Sequence, residues 1–323
     1  MGGSQGSFKA LPGEMLMVAI FLLALQTVVG QDTPSSKPDQ KTDRPRMEWT
    51  TPEVKAERVQ YQTFESNAAK TKVSYHVYTP EIYDREQDRR FPVLYWLHGT
   101  GGGGGGIRPL SEFFDEAIRA EKFPPMLIVF PNGLATSMWY DSKDGTVPVE
   151  TAFIQELIPH VDKSFRTIAN RQGRIVEGFS MGGYGAGRLG FKYPELFGGI
   201  SVLAGGPLDL EFQGPRAKGN PAERERILKD TFGGDLNYYQ QQSPISIAEK
   251  NAAAVTGRTR VRVAVGARDF TADLNRAYSE NLKKINVDHE LIVVPEVAHQ
   301  ALLLLKGIGD SNWDFYRAVF VKK

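Results

Sequence analysis

The sequence predicts an α/β protein built on a doubly wound, mostly parallel sheet, with antiparallel N-terminal strands and a cap-like insertion. Three patterns predict it. Residues 58–64 and 72–78 alternate polar with apolar side chains, as half-exposed antiparallel strands do. After them come short, nearly continuous apolar runs at 91–97, 126–130, 199–203, 261–265 and 291–294, with Arg174 to Glu177 as a further short buried strand; such runs suit strands covered on both faces. Helical patterns lie between them at 110–120, 150–165, 182–191 and 274–285. The last places Leu274, Ala277, Tyr278, Leu282 and Ile285 on one helix face. Alternating strand and helix implies right-handed crossovers in one sheet. The connection from about 205 to 255 is too long for a simple turn, carries Pro207, Pro215 and Pro221, and predicts a cap or lid with short helical pieces such as 222–230.

Bulk properties bound the function. The chain has 323 residues and a formal net charge of +1, without the basic footprint that nucleic-acid binding or an anionic membrane surface requires. It contains no cysteine, which excludes disulfides, thiolate metal ligands and a thiol nucleophile. Lys9 precedes a charge-free run from Met15 to Val29, near the length of a signal-peptide h-region and short of the ~20 residues that span a bilayer. Residues 1–30 are therefore expected to be a signal peptide, with a retained N-terminal anchor as the rival reading. Residues 31–48 are a polar, Pro-bearing linker, and 49–323 form one catalytic domain, secreted or periplasmic, with no stable membrane anchor after processing.

The most informative stretch is Gly178-Phe179-Ser180-Met181-Gly182, which joins the strand ending at Glu177 to a helix start rich in small residues. A serine on a sharp strand-to-helix turn takes strained backbone angles, and flanking glycines let strand and helix approach closely. Ligands of open α/β sheets bind at the carboxyl ends of the strands. That rule sorts the five histidines. His76 lies within a strand, His160 in an earlier helix and His289 at the amino end of 291–294. His299 alone comes after that strand, on the correct edge. The same rule selects Asp269, after strand 261–265; its alternative reading is a helix N-cap before Thr271. Ser180, His299 and Asp269 then have complementary roles: nucleophile, general base, and the acid that fixes the imidazole tautomer.

An oxyanion needs donors. The strand 91–97 ends in His98-Gly99-Thr100 and a glycine run to Gly106, so the N–H of Thr100, with Gly101 as alternate, and that of Met181 are the expected pair. No Lys-Ser or Lys-Thr follows the glycines, which disfavours a phosphate loop, and His98 reads as a loop-shaping residue. Trp139, Tyr140, Met181 and Phe212 are candidates for an apolar substrate pocket, each with an ordinary core role as the alternative.

The chain order serine, aspartate, histidine is that of the α/β-hydrolase fold. Together with Tyr95-Trp96-Leu97-His98-Gly99, Trp139-Tyr140, Glu150, 156–159, 177–186, Ser243-Pro244, Gly266 with Asp269, and His299, it resembles the putative-esterase family, which includes esterase D-like enzymes, feruloyl esterase domains and mycolyltransferases. The resemblance runs from about Val73 to the C-terminus. It implies a Ser180–Asp269–His299 triad, no metal or organic cofactor, and an ester substrate, with polysaccharide-linked feruloyl or acetyl esters favoured. Acyl transfer to a sugar, and a non-catalytic binding protein on the same fold, are the alternatives. The sequence departs from many relatives in following His299 with Gln300-Ala301-Leu302-Leu303 rather than an acidic or aromatic residue.

Overall fold

A computed structural model describes residues 47–205 and 221–321. Its secondary structure runs β1 (Val59–Ser66), β2 (Thr71–Tyr78), α1 (Ile82–Arg85), β3 (Val93–Leu97), α2 (Gly104–Arg119), β4 (Leu127–Pro131) and α3 (Val149–Thr151). A π-helical turn (Ala152–Leu157) leads into α4 (Ile158–Ser164), β5 (Arg174–Phe179), α5 (Met181–Lys192) and β6 (Gly199–Leu203). The remainder is α6 (Pro221–Phe232), α7 (Leu236–Gln242), α8 (Pro244–Val255), β7 (Arg260–Gly266), α9 (Ala272–Lys284), β8 (Glu290–Val294), α10 (Ala301–Ile308) and α11 (Ser311–Phe320).

The strands form one eight-stranded sheet in the order β1-β2-β4-β3-β5-β6-β7-β8. β1 pairs antiparallel with β2 and β2 antiparallel with β4, whereas every other pair is parallel. The alternation of 58–64 and 72–78 thus reports the antiparallel start, and the apolar runs report strands covered by helices on both faces. One face carries the π-helical turn, α5, α8 and α9, and the other α2, α10 and α11. The strand order reverses between β3 and β5. Loops leaving those two strands diverge there and open a crevice at the carboxyl edge.

Two parts differ from the sequence expectation. The glycine run is only partly loop, because α2 already begins at Gly104 and absorbs Pro109 near its start. The described part of the insertion, 221–255, is three helices, as its short helical pieces predict, and their packing reaches deeper than a lid over one edge requires. Ile247, Ala248 and Val255 of α8, with Phe232 and Tyr239, are buried in the core on the α5 face. The expected signal peptide and nearly all of the linker lie outside the described residues, as does Phe212. Among the described residues no helix is long and apolar enough to cross a membrane.

Candidate active site

Parallel register brings the functional loops to one edge. Leu97 at the end of β3 pairs with Gly178, Phe179 with Leu203 at the end of β6, and Gly266 at the end of β7 with Val294 of β8. Residues 98–101, 180, 204–205, 269 and 299 follow those positions and collect there.

Ser180 has φ 59° and ψ −120°, a conformation that costs an L-residue about 1–3 kcal/mol and persists only where its surroundings impose it. Its N–H donates to the Leu203 carbonyl at 3.1 Å, and its own carbonyl accepts from the Tyr184 N–H at 3.0 Å, so both sides of the turn are tied. The flanking glycines are a steric requirement. A Cβ on Gly178 would lie 2.3 Å from the Gly182 carbonyl oxygen, and one on Gly182 only 1.8 Å from that of Leu97.

Adjacent strands are about 4.8 Å apart, so β5 and β7 lie about 10 Å apart, too far for direct contact between the serine and aspartate side chains. The imidazole fills that gap. The loop after β8 crosses back over the end of β7, where Val297 accepts the Arg268 N–H at 3.0 Å. Only glycine permits this crossing, because a Cβ on Gly266 would sit 2.1 Å from the Val297 carbonyl oxygen. His299 then places Nε2 at 2.9 Å from Ser180 Oγ and Nδ1 at 2.8 Å from Asp269 Oδ2. An unprotonated Asp269 only accepts, which assigns the proton to Nδ1 and leaves Nε2 free to take the serine proton.

Asp269 bonds through both carboxylate oxygens, and the helix cap position itself falls to Thr271. Its Oδ1 accepts from the Thr271 N–H and hydroxyl, both at 2.8 Å, in a local turn before α9, while Oδ2 faces His299. Burial pushes its carboxyl up, but the hydrogen bonds from His299 and Thr271 outweigh this and hold it below the ordinary aspartate value. Behind it, Asn275 Nδ2 donates to the Thr271 carbonyl at 2.9 Å and to that of Gly205 at 3.1 Å, while its Oδ1 accepts the Gly205 N–H. Thr271 and Asn275 are fully buried, and sequence reasoning missed both. The signal available was their i, i+4 spacing just after the candidate acid.

On the side expected to receive an oxyanion, Gly99 runs against Ser180; a Cβ there would sit 3.3 Å from Ser180 Cβ. Thr100 is exposed, and the N–H of Met181, at the first position of α5, has no intrahelical acceptor. Gly101 is corrected as the alternate donor, since its N–H is already used by the Ala135 carbonyl at 2.9 Å. His98 is buried beneath this loop. Its Nδ1 donates to the Gly99 carbonyl at 2.7 Å and its Nε2 accepts the Gly133 N–H at 3.0 Å, an arrangement that needs a neutral ring. Burial pushes its pKa down, in keeping with that form.

The pocket candidates fare differently. Trp139 and Tyr140 are fully buried and line no open surface. Trp139 donates its indole N–H to the His98 carbonyl at 3.2 Å and covers Gly133 and Gly185, so it braces the loop after β3 against α5. The Tyr140 hydroxyl donates to the Gln242 carbonyl at 2.7 Å and meets that of Tyr184 at 2.7 Å, which fastens α7 to α5. The Met181 side chain is buried as well. These positions correct the expectation of an aromatic pocket wall. Such rings are needed inside, where five glycines in α5 leave volume to fill. Among the described residues no group of three or more His, Asp or Glu side chains converges to hold a metal ion.

Residues 66–319 match the putative esterase family. The chain belongs to that family. An esterase of Mycobacterium tuberculosis is 36% identical over 152 residues, 46% of this chain and 32% of that protein. An endo-1,4-beta-xylanase/feruloyl esterase of Xylanibacter ruminicola is 31% identical over 173 residues, 49% of this chain and 23% of that protein. The chain thus spans about a third or less of the length of these curated relatives. Among solved structures, a ferulic acid esterase superposes with a TM-score of 0.66 at 21% identity, covering 81% of this chain and 98% of the other; this likeness is one of fold.

Proposed function

We propose that this protein is an exported serine esterase that cleaves carboxylic esters through an acyl-serine intermediate, acting on carbohydrate-linked feruloyl or acetyl esters. The observation that carries the reading is the hydrogen-bonded relay from Ser180 through His299 to Asp269, at 2.9 and 2.8 Å, on the strained turn after β5. Family membership and the names of the relatives, an esterase and a xylanase/feruloyl esterase, support the chemistry and the substrate class. The charge-free run from Met15 to Val29 supports export.

In this mechanism His299 Nε2 takes the Ser180 proton as Oγ attacks the ester carbonyl. Asp269 stabilises the imidazolium and keeps the ring in register, and the N–H groups of Thr100 and Met181 receive the oxyanion. His299 returns the proton to the departing alcohol. Water then repeats the sequence on the acyl-serine. Each oxyanion donor accounts for about 2.7–4 kcal/mol of transition-state stabilisation.

The test is hydrolysis of p-nitrophenyl acetate, butyrate and octanoate beside methyl ferulate. Ser180→Ala is expected to lower kcat by roughly 10⁶-fold with an unchanged thermal midpoint. Equal turnover by variant and parent would refute the assignment. Export is tested separately, by fractionating an expressing bacterium and sequencing the N-terminus of the protein outside the cytoplasm.

A further inference from the structure

Phe270 directly follows Asp269, and its ring centroid is 4.5 Å from that of His299. At 60% exposure it is the most exposed large apolar side chain among the described residues. Two residues before it in the same loop, Arg268 pairs with Glu296 at 2.6 Å, both side chains largely in solvent, joining the loop after β7 to the loop after β8. The triad chemistry uses none of the three. Isolated exposed apolar residues are ordinary on protein surfaces. This one, however, lies against the general base.

Its position has a chemical meaning. When the Ser180 Oγ–C bond forms and the C–O bond to the alcohol breaks, the proton taken by His299 Nε2 passes to the departing oxygen. That oxygen must lie beside the imidazole, whereas the carbonyl oxygen lies toward Thr100 and Met181. A solvent-facing ring packed on the imidazole therefore faces the alcohol half of the ester, not the acyl half. We infer that Phe270, with Arg268 and Glu296, forms the leaving-group subsite and that the group it takes is a sugar ring. The phenyl face covers the apolar C–H face of the sugar, while guanidinium and carboxylate bond to its hydroxyls. A flat apolar surface edged by charged donors and acceptors matches a ligand with one apolar face and a rim of hydroxyls. A simple alkyl alcohol would use only the ring.

This inference rests on the esterase reading and deepens it. The test compares two esters with one acyl group, a monoacetylated methyl xylopyranoside and ethyl acetate. Because kcat/KM ends with acylation, its ratio between the two reads the alcohol alone. Phe270→Ala and Phe270→Leu are expected to lower that ratio about tenfold, the size of one lost aromatic contact, while Phe270→Trp holds it within about twofold. Arg268→Ala lowers it in the same direction. A ratio unchanged in Phe270→Ala, a parallel loss on both esters, or a leucine variant as selective as the parent overturns the subsite. Failure of the folded parent on both acetates and on every ester of the series above, methyl ferulate included, overturns the esterase reading itself, and that result is visible before any variant is made.

Discussion

At Ser180 the backbone angle and the neighbouring glycines form one device. The strained turn holds Oγ above the sheet only because nothing larger than hydrogen stands at Gly178 and Gly182. Gly182→Ala would press a methyl group to 1.8 Å from the Leu97 carbonyl oxygen, so it is expected to destabilise by more than about 4 kcal/mol. Gly105→Ala, in the open first turn of α2, meets no atom within 4 Å and should stabilise by roughly 0.5–1 kcal/mol. Chemical denaturation of the two variants checks the contrast. Asp269→Asn should lower kcat by about 10⁴-fold, because an amide can donate to Nδ1 and favour the wrong imidazole tautomer. Turnover of p-nitrophenyl acetate by the folded variant measures it. The meeting of Ser180, Asp269 and His299 was legible from sequence because each follows a strand at its carboxyl end. Thr271, Asn275 and Phe270 were not, since nothing in a linear sequence separates a residue that supports Asp269 or packs on His299 from an ordinary loop or helix residue.

Among the elements, α5 is held by a buried ionic cluster. Arg188 donates to Glu150 at 2.5 Å and to the Gln242 carbonyl at 2.9 Å, and its guanidinium lies 3.8 Å from the Tyr140 ring centroid. Lys192 and Tyr193 also donate to Glu150, at 2.5 and 2.6 Å. This cluster joins α5 to α3 and to the end of α7. Burial pushes the Glu150 carboxyl up, but Arg188 and Lys192 outweigh it and hold the group below the ordinary glutamate value. Glu150→Gln leaves Arg188 buried without its counter-charge and is expected to cost about 3–5 kcal/mol near neutral pH. A lowered native pKa means that the contribution is complete above the ordinary glutamate value and is lost as pH falls through the native one. The stability gap between parent and variant should therefore narrow on acidification, as urea midpoints across a pH series would record. The sequence placed Glu150 in a helix and in the family pattern. Its partners, 38 to 43 residues away, came only with the fold.

Across the whole molecule, a second buried pair ties the sheet to its other helical layer. Arg262 of β7 and Glu177 of β5 are fully buried and bond at 2.6 Å. Arg262 also reaches Ser201 of β6 at 3.0 Å and Asn312 of α11 at 2.8 Å, and the Tyr316 hydroxyl donates to Glu177 at 2.9 Å. Three strands and α11 are thereby fixed just beneath the turn at Ser180. Arg262→Met should lose about 3–5 kcal/mol by leaving Glu177 uncompensated, and adding Glu177→Gln should recover part of that loss. A double-mutant cycle in urea reads the recovery.

By itself the sequence determined the fold class, all eight strands, and the edge on which serine, aspartate and histidine meet. Strand and helix periodicities are local, and the carboxyl-edge rule follows from element order alone. Tertiary structure decided what depends on distance between remote segments. It placed Trp139 and Tyr140 inside rather than on a pocket wall, set α8 into the core, used the Gly101 N–H elsewhere, and left Phe270 in solvent beside His299. Burial and hydrogen-bond partnership are properties of packed neighbours, and no single stretch of chain encodes them.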